Sequence, residues 1–194
     1  KTHAPRHGSL AYLPRKRSEH LLARMRFWPK IQEETPRLLG FVGYKAGMTQ
    51  VFTIEDRKRS PDFGKEVVRS ATVLESPPML ICAIKAYTKN DYGLRTLTEA
   101  WMKDPPDDLE KLLTTPENFN TEVSLKKIEE DLPRIVKIRV IAATQPKQTS
   151  LPKKKPDVTE IEIGGGPTQQ QLEYAKTLIG KTITTAANLK EGQF

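Results

Sequence analysis

Residues 65–101, KEVVRSATVLESPPMLICAIKAYTKNDYGLRTLTEAW, decide the fold. KEVVRSATVLE (65–75) and MLICAIKAYT (79–88) are rich in β-branched and apolar residues, as half-buried strands are. Ser76-Pro77-Pro78 separates them, because two successive prolines lack the N–H groups that a continuous strand or helix needs. Asn90-Asp91-Tyr92-Gly93 is a turn signal, and LRTLTEAW (94–101) reads as the partner strand of a hairpin.

The same pattern extends in both directions. RLLGFVGYKAGMTQVFTIEDR (37–57) predicts two strands with a Gly-containing turn. RIVKIRVIAATQP (134–146) alternates, with Val136, Ile138, Val140 and Ala142 on one face and Lys137 and Arg139 on the other. TSLPKKKPD (149–157) is a loop, and VTEIEI (158–163) is a further alternating strand. GGGPTQQQLEYAKTLIGK (164–181) is the clearest helix, expected over 167–179. Pro167 suits its first position, Gly180 its left-handed end, and Leu172, Ala175, Leu178 and Ile179 form one apolar stripe. TITTAANLKEGQF (182–194) ends as a turn entering a strand. Six to eight short strands with few helices predict a mainly β fold, a small closed or half-closed barrel rather than a parallel α/β sheet.

Two segments depart from this pattern. Residues 102–131 carry nine carboxylates against four lysines. DDLEKLL and VSLKKIEEDL within them read as short helices, so 102–133 is expected to be an acidic helical insertion between strands. Residues 1–37 are the opposite. In 1–30 eight cations (Lys1, Arg6, Arg15, Lys16, Arg17, Arg24, Arg26, Lys30) face Glu19 alone, which accounts for nearly all of the formal net charge of +8. Pro5, Pro14, Pro29 and Pro36 bar long regular structure there, leaving at most a short helix at SEHLLARMRF (18–27). The expected division is a basic extension over 1–37, barrel strands over 38–101, the acidic insertion over 102–133, and strands plus one helix over 134–194.

Composition narrows the function. A pI near 9.5 favours an anionic partner, most often nucleic acid. The single cysteine, Cys82, excludes an internal disulfide and fits a reducing compartment. Its place in LICAIKAY reads as a small core residue. No apolar run approaches 18 residues, and the basic N-terminus lacks the apolar segment of a secretory signal, so no membrane partner is expected.

No catalytic constellation emerges. His3, His7 and His20 all lie in the arm, and the His3/His7 spacing falls in a Pro/Gly segment without neighbouring Cys or carboxylate ligands, so no metal is expected. The carboxylates of 104–131 read as a solvated or protein-contacting face. Gly164-Gly165-Gly166 resembles an anion cradle before a helix, but no Lys-Ser or Lys-Thr follows and there is no GxGxxG, so no cofactor is expected. Turn chemistry is the first reading of the three glycines and contact with an RNA backbone the second. The basic clusters carry more information. Cations interleaved with Tyr12, Phe27, Trp28 and histidines offer phosphate neutralisation and stacking faces suited to structured RNA. Lys153-Lys154-Lys155, between Pro152 and Pro156, is a second basic loop. Unbound, the arm should be disordered, since its like charges repel and it has little apolar surface.

Several of these stretches resemble a known family. APRHGSLAYLPRKR (4–17) is similar to the N-terminal motif of the third protein of the large ribosomal subunit, the universal L three family, in its archaeal and eukaryotic form. LLGFVGYKAGMTQVFT (38–53) resembles the family's first barrel strand, where Gly-x-Lys-x-Gly-Met-Thr recurs. ESPPMLICAIKAY (75–87), YGLRT (92–96) and TEIEIGGG (159–166) also look like it. The resemblance implies a barrel like that of translation factors, with extensions into ribosomal RNA and an acidic insertion. It implies an early-binding, non-enzymatic architectural protein of the cytoplasmic ribosome, with large-subunit rRNA and neighbouring ribosomal proteins as partners. Arg6, His7, Arg15, Lys16 and Arg17 match the arm motif, and Tyr44, Lys45 and Met48 the first-strand motif. The expected RNA-binding set adds His3, Arg24, Arg26, Trp28, Lys30 and Lys153–Lys155, with Gly164–Gly166 as possible backbone contacts. Family members continue past residue 194 with further barrel strands, so the barrel is expected to be incomplete here and no active-centre role carries over. The alternatives are an RNA-modifying enzyme or translation factor on a similar barrel, which would need a nucleotide or cofactor site, and a basic DNA-binding protein, which would bind duplex DNA as well as folded RNA.

Overall fold

The fold was analysed in a computed structural model, which describes residues 3–5, 7–9, 22–23, 25–113 and 120–192. The secondary structure is mainly β. Among the described residues eight strands run in chain order: β1 (Arg37–Leu38), β2 (Tyr44–Ile54), β3 (Glu66–Glu75), β4 (Met79–Asn90), β5 (Gly93–Trp101), β6 (Lys137–Thr144), β7 (Val158–Gly164) and β8 (Thr182–Ile183). Among the same residues four α-helices accompany them: α1 (Asp107–Glu110), α2 (Thr121–Glu130), α3 (Thr168–Leu178) and α4 (Thr185–Asn188).

One six-stranded sheet has the order β1-β7-β6-β4-β5, with β8 paired to the start of β4. Every pairing in it is antiparallel. The β4–β5 hairpin forms where the sequence predicts it, with Asn90 opposite Gly93 and Gly93 at φ 121°. That positive φ suits a residue without Cβ.

The core lies on one face of this sheet. Met79, Ile81, Ile84 and Ala86 of β4 join Ile138, Val140 and Ala142 of β6 and Ile161 and Ile163 of β7. Ile81 and Ile84 are three apart, a spacing that sends strand residues to opposite faces. The register slips by one residue between Ile81 and Ala83, and this bulge returns Ile84 to the core. Leu172 and Ala175 of α3 and Ile128 of α2 cover the face. Each fully buried Ile or Leu there contributes roughly 1.5–3 kcal/mol. Leu178 and Ile179 pack at the edge of the cluster, completing the expected stripe, and Gly180 ends the helix at φ 73°. Helix α3 starts one residue later than expected, because Pro167 keeps an extended conformation as its cap.

The opposite face carries a smaller cluster, Leu80, Cys82, Leu109 and Ala143, under α1. Burial pushes the Cys82 thiol up to about 12, which keeps it protonated and inert, as a core cysteine should be. Further along this face charges alternate across four strands. Lys85 lies 3.0 Å from both Glu99 and Glu160, Arg139 lies 3.5 Å from Glu160 and 3.3 Å from Glu162, and Lys137 lies 2.6 Å from Glu162. The Tyr87 hydroxyl donates to Glu160 at 2.6 Å.

Several expectations are corrected. Among the described residues the sheets do not close into a barrel: β1 and β5 end the sheet path, and β2 and β3 form a separate two-stranded ribbon. Residues 37–57 hold a two-residue strand and one long strand rather than two comparable strands. Gly47 sits beside a bulge inside β2, where the register shifts between Lys45 and Gly47. Val136 precedes β6 and is half exposed, while its N–H donates to the Tyr87 carbonyl at 2.9 Å. The acidic insertion is less solvated than its composition suggests. Ile128 and Leu109 are fully buried, and the Thr121 hydroxyl donates to the Trp101 carbonyl at 2.7 Å.

Candidate nucleic-acid interface

Cations meet phosphate only where their own protein partners leave them free. What each predicted residue already touches therefore decides whether it can meet phosphate. Arg6, Arg15, Lys16, Arg17 and Arg24 lie outside the described residues, as do the other residues of 10–21. His3, His7, Arg26 and Lys30 are exposed.

The end of the arm is bound to the body. The Trp28 ring lies over Gly40, where a Cβ would meet two ring carbons at 3.0 Å, and it packs against the main core. Its indole Nε1 is buried without a partner. Phe27 faces the other way and is 88% exposed, so the stacking face on offer here belongs to Phe27. Further on, the chain at 33–35 runs against the triple glycine. The Gly166 N–H donates to the Glu33 carbonyl at 2.8 Å. A Cβ on Gly165 would fall inside contact distance of the Thr35 carbonyl, and one on Gly166 would lie 2.8 Å from the Glu34 carbonyl. Gly165 and Gly166 have φ of 87° and 61°. The glycines thus admit a close backbone approach and a left-handed turn, and α3 follows from it.

Two predicted clusters that are far apart in sequence converge. Tyr44, at the start of β2, reaches across to the lysine loop. Its hydroxyl donates to Asp157 at 2.5 Å and shares a hydrogen bond with the Thr144 hydroxyl at 2.8 Å. The Asp157 N–H donates to the Thr144 hydroxyl at 2.9 Å. Lys153 donates to both Asp157 oxygens at 2.6 and 2.5 Å, and its ammonium sits 5.9 Å from the Tyr44 ring centroid. Burial, reinforced by the bond to Asp157, pushes the Tyr44 phenol up to about 12, so it stays a neutral donor at any physiological pH. This network fixes the loop between β6 and β7 to the base of the ribbon.

The consequence for charge is specific. Lys153 is spent on Asp157. Lys154 and Lys155 are exposed with no partner among the described residues and project from a braced loop. Lys45 and Met48 are exposed on β2, Met48 at 63%. The three residues Tyr44, Lys45 and Met48 therefore divide, the first bracing and the other two facing outward.

One cationic cluster escaped the sequence reading. Arg57-Lys58-Arg59 stands exposed at the tip of the β2–β3 ribbon. Arg57 pairs at 3.8 Å with Glu55, which Arg69 also holds, while Lys58 and Arg59 have no described partner. The triplet was legible as a charge run in the turn between two strands, but Glu55, Asp56 and Asp62 beside it cancel the local excess. The carboxylates of α1 and α2 form ion pairs instead of a metal site: Asp108 with Lys111 and Lys147, and Glu129 with Lys176. No group of three or more His, Cys, Asp or Glu among the described residues is placed to hold a metal. No helix among them is long and apolar enough to cross a membrane.

Comparison with known proteins agrees with the sequence motifs. The chain matches the family model of Ribosomal protein L3 over residues 1–194. It is 42% identical over 197 residues to large ribosomal subunit protein uL3 of Pyrobaculum calidifontis, covering 100% of this chain and 58% of that protein. It is 43% identical over 201 residues to the protein of that name from Caldivirga maquilingensis, with coverage of 100% and 58%. The counterpart in Methanothermobacter thermautotrophicus is 39% identical over 193 residues, or 99% of this chain and 57% of the relative. The chain spans less than three fifths of the length of these archaeal relatives. It belongs to the Ribosomal protein L3 family.

Proposed function

We propose that the chain is a structural constituent of the large ribosomal subunit that binds and braces large-subunit rRNA and supports early subunit assembly, without catalysis. The observation that carries this reading is the Tyr44–Thr144–Asp157–Lys153 network. It holds Lys154 and Lys155 outward on a braced loop, which is how a protein pre-organises phosphate contacts. The family membership supports the same reading, and the relatives' names place them in the large subunit.

On this reading the phosphate-binding set is Arg6, Arg15, Lys16, Arg17, Arg24, Arg26 and Lys30 of the arm with Lys45, Lys154 and Lys155 of the body. His3 and His7 bond phosphates or stack on bases, and Met48 packs against sugar or base. Trp28 anchors the arm at Gly40 while Phe27 stacks. Lys153 acts through Asp157, and Gly164–Gly166 let the arm's end dock while their exposed edge lies beside the backbone of the RNA. The two unpaired sheet edges and the ribbon's exposed Met48, Phe52, Ile54 and Val68 fit a barrel that further chain completes. Neighbouring ribosomal proteins are the expected contacts of the acidic segment.

A salt titration of binding to large-subunit rRNA tests the electrostatic part. If roughly 6–10 phosphates are neutralised, affinity falls about 10³–10⁵-fold between 50 and 200 mM salt. A near-flat dependence, or equal binding to duplex DNA in competition, contradicts the proposal.

A further inference from the structure

The β4–β5 hairpin outruns the sheet it belongs to. β4 makes its last pair with β6 at Tyr87, opposite Lys137, and the Val136 N–H donates to the Tyr87 carbonyl. Past that point, among the described strands, β4 pairs only with β5: Thr88 opposite Arg95, Lys89 opposite Leu94 and Asn90 opposite Gly93. Three pairs at about 3.3 Å each carry the turn roughly 10 Å beyond the sheet. The base of this projection is braced. The Tyr87 hydroxyl donates to Glu160 at 2.6 Å, and the Arg139 guanidinium lies 4.8 Å from the Tyr87 ring centroid.

At the tip stands Tyr92. It is 104% exposed, more than any other large apolar or aromatic side chain among the described residues. Its hydroxyl has no hydrogen-bond partner among them. Nothing local calls for an aromatic ring there. Asp91 and Tyr92 are the two central residues of the turn, and both keep a negative φ while Gly93 takes the positive one. Such turn positions favour Gly, Asn, Asp or Ser. The ring serves neither the turn nor the core, and the fold gains nothing from it. Its surroundings are cationic. Lys89 and Arg95 are exposed with no partner among the described residues. Successive residue pairs alternate sides, so these two cations lie on opposite faces of the hairpin. Asp91 is the one carboxylate against them.

These features specify an occupant. A free ring face takes another flat ring, and a cation on either side takes an anion on either side of that ring. An unpaired nucleotide within a strand has this form, a base with a phosphate before it and another after it. A regular duplex keeps its bases stacked inside, and an acidic peptide offers the charges without the flat ring between them. Unpaired bases of structured RNA are splayed out and stacked on aromatic side chains in this way. We propose that Tyr92 stacks on one unpaired base of the bound RNA while Lys89 and Arg95 meet the phosphates on its two sides. The inference rests on the RNA-binding reading above and adds to it a base-stacking contact.

Filter binding of the full chain to large-subunit rRNA tests it, with the salt slope and the urea midpoint measured for each variant. Tyr92→Ala should lower affinity about 5- to 150-fold, the range that one base stacked on an aromatic ring covers. The salt slope should not change, because no phosphate contact is lost. The urea midpoint should match that of the unmodified chain, because the ring is fully exposed. Tyr92→Phe keeps the ring and should bind as the unmodified chain does. Lys89→Ala and Arg95→Ala should each lower the slope by about 0.7, the share of one single-strand phosphate. With Tyr92 replaced by p-azidophenylalanine, assembled large subunits should crosslink at this position to one unpaired nucleotide. Full affinity of Tyr92→Ala, an equal loss for Tyr92→Phe, or a crosslink to protein alone overturns the stacking contact and leaves the RNA reading standing. Absence of rRNA binding by the unmodified chain overturns both.

Discussion

Tyr44 shows how one hydroxyl can set the geometry of a distant loop. It is 113 residues from Asp157 and makes its shortest hydrogen bond to it. Tyr44→Phe removes that donor but leaves Asp157 held by Lys153 and by its own N–H on Thr144. The expected cost is about 1–2 kcal/mol, read from the urea midpoint. A loss of rRNA affinity beyond that expected from unfolding would follow if the loop loosens. The glycines behave differently. Gly165→Ala places a Cβ against the Thr35 carbonyl at a φ that alanine rarely adopts. About 1–3 kcal/mol of strain is expected, together with release of the 33–35 segment, seen as a lower melting temperature and faster amide exchange at Gly166. Unchanged stability of Gly165→Ala would mean that this segment does not dock as described. The motif around Tyr44 was visible in the sequence, but its bond to the lysine loop was not. No local pattern reports a contact across more than a hundred residues.

Among the elements, the strands with local partners were the most legible. β4 and β5 followed from a turn signal between two strand-like segments, and α3 from its cap, stripe and terminal glycine. What stayed hidden were the bulge at Cys82, which compensates a three-residue spacing, and the pairing of β2 with β3 outside the main sheet. Both depend on which neighbours a strand finds, not on its own residues. The acidic segment misled because net charge hid Leu109 and Ile128, single apolar residues that anchor their helices. The charged face of the sheet supplies a prediction at this scale. Burial raises the Glu160 pKa, but hydrogen bonds from Tyr87 and Lys85 outweigh it and the carboxyl ends below its ordinary value of about 4.5. Burial likewise opposes the Lys85 charge, and Glu160 and Glu99 more than offset it. A depressed folded pKa stabilises the fold above the unfolded value, and that contribution is lost as pH falls through the folded value. Stability of the native chain should therefore decline below about pH 4.5, and Glu160→Gln should flatten that part of the decline while lowering stability at pH 7. An identical acid profile for the variant would remove Glu160 from the account.

At the scale of the whole molecule, charge is segregated. Nearly all of the excess of +8 lies in the first thirty residues, and the sheet's inner charges balance one another. Such a division suits a neutral folded body that carries a cationic extension into an anionic surround. The extension is not independent of the body, since Trp28 and the chain at 33–35 dock onto Gly40 and the Gly165–Gly166 turn. The most direct test is sedimentation of the native protein from cell lysate in low and then high salt. The expected result is co-migration with the large subunit that survives high salt, since a contact set ordered among rRNA helices exchanges slowly. Protein that stays free of the subunit at every salt concentration would contradict it.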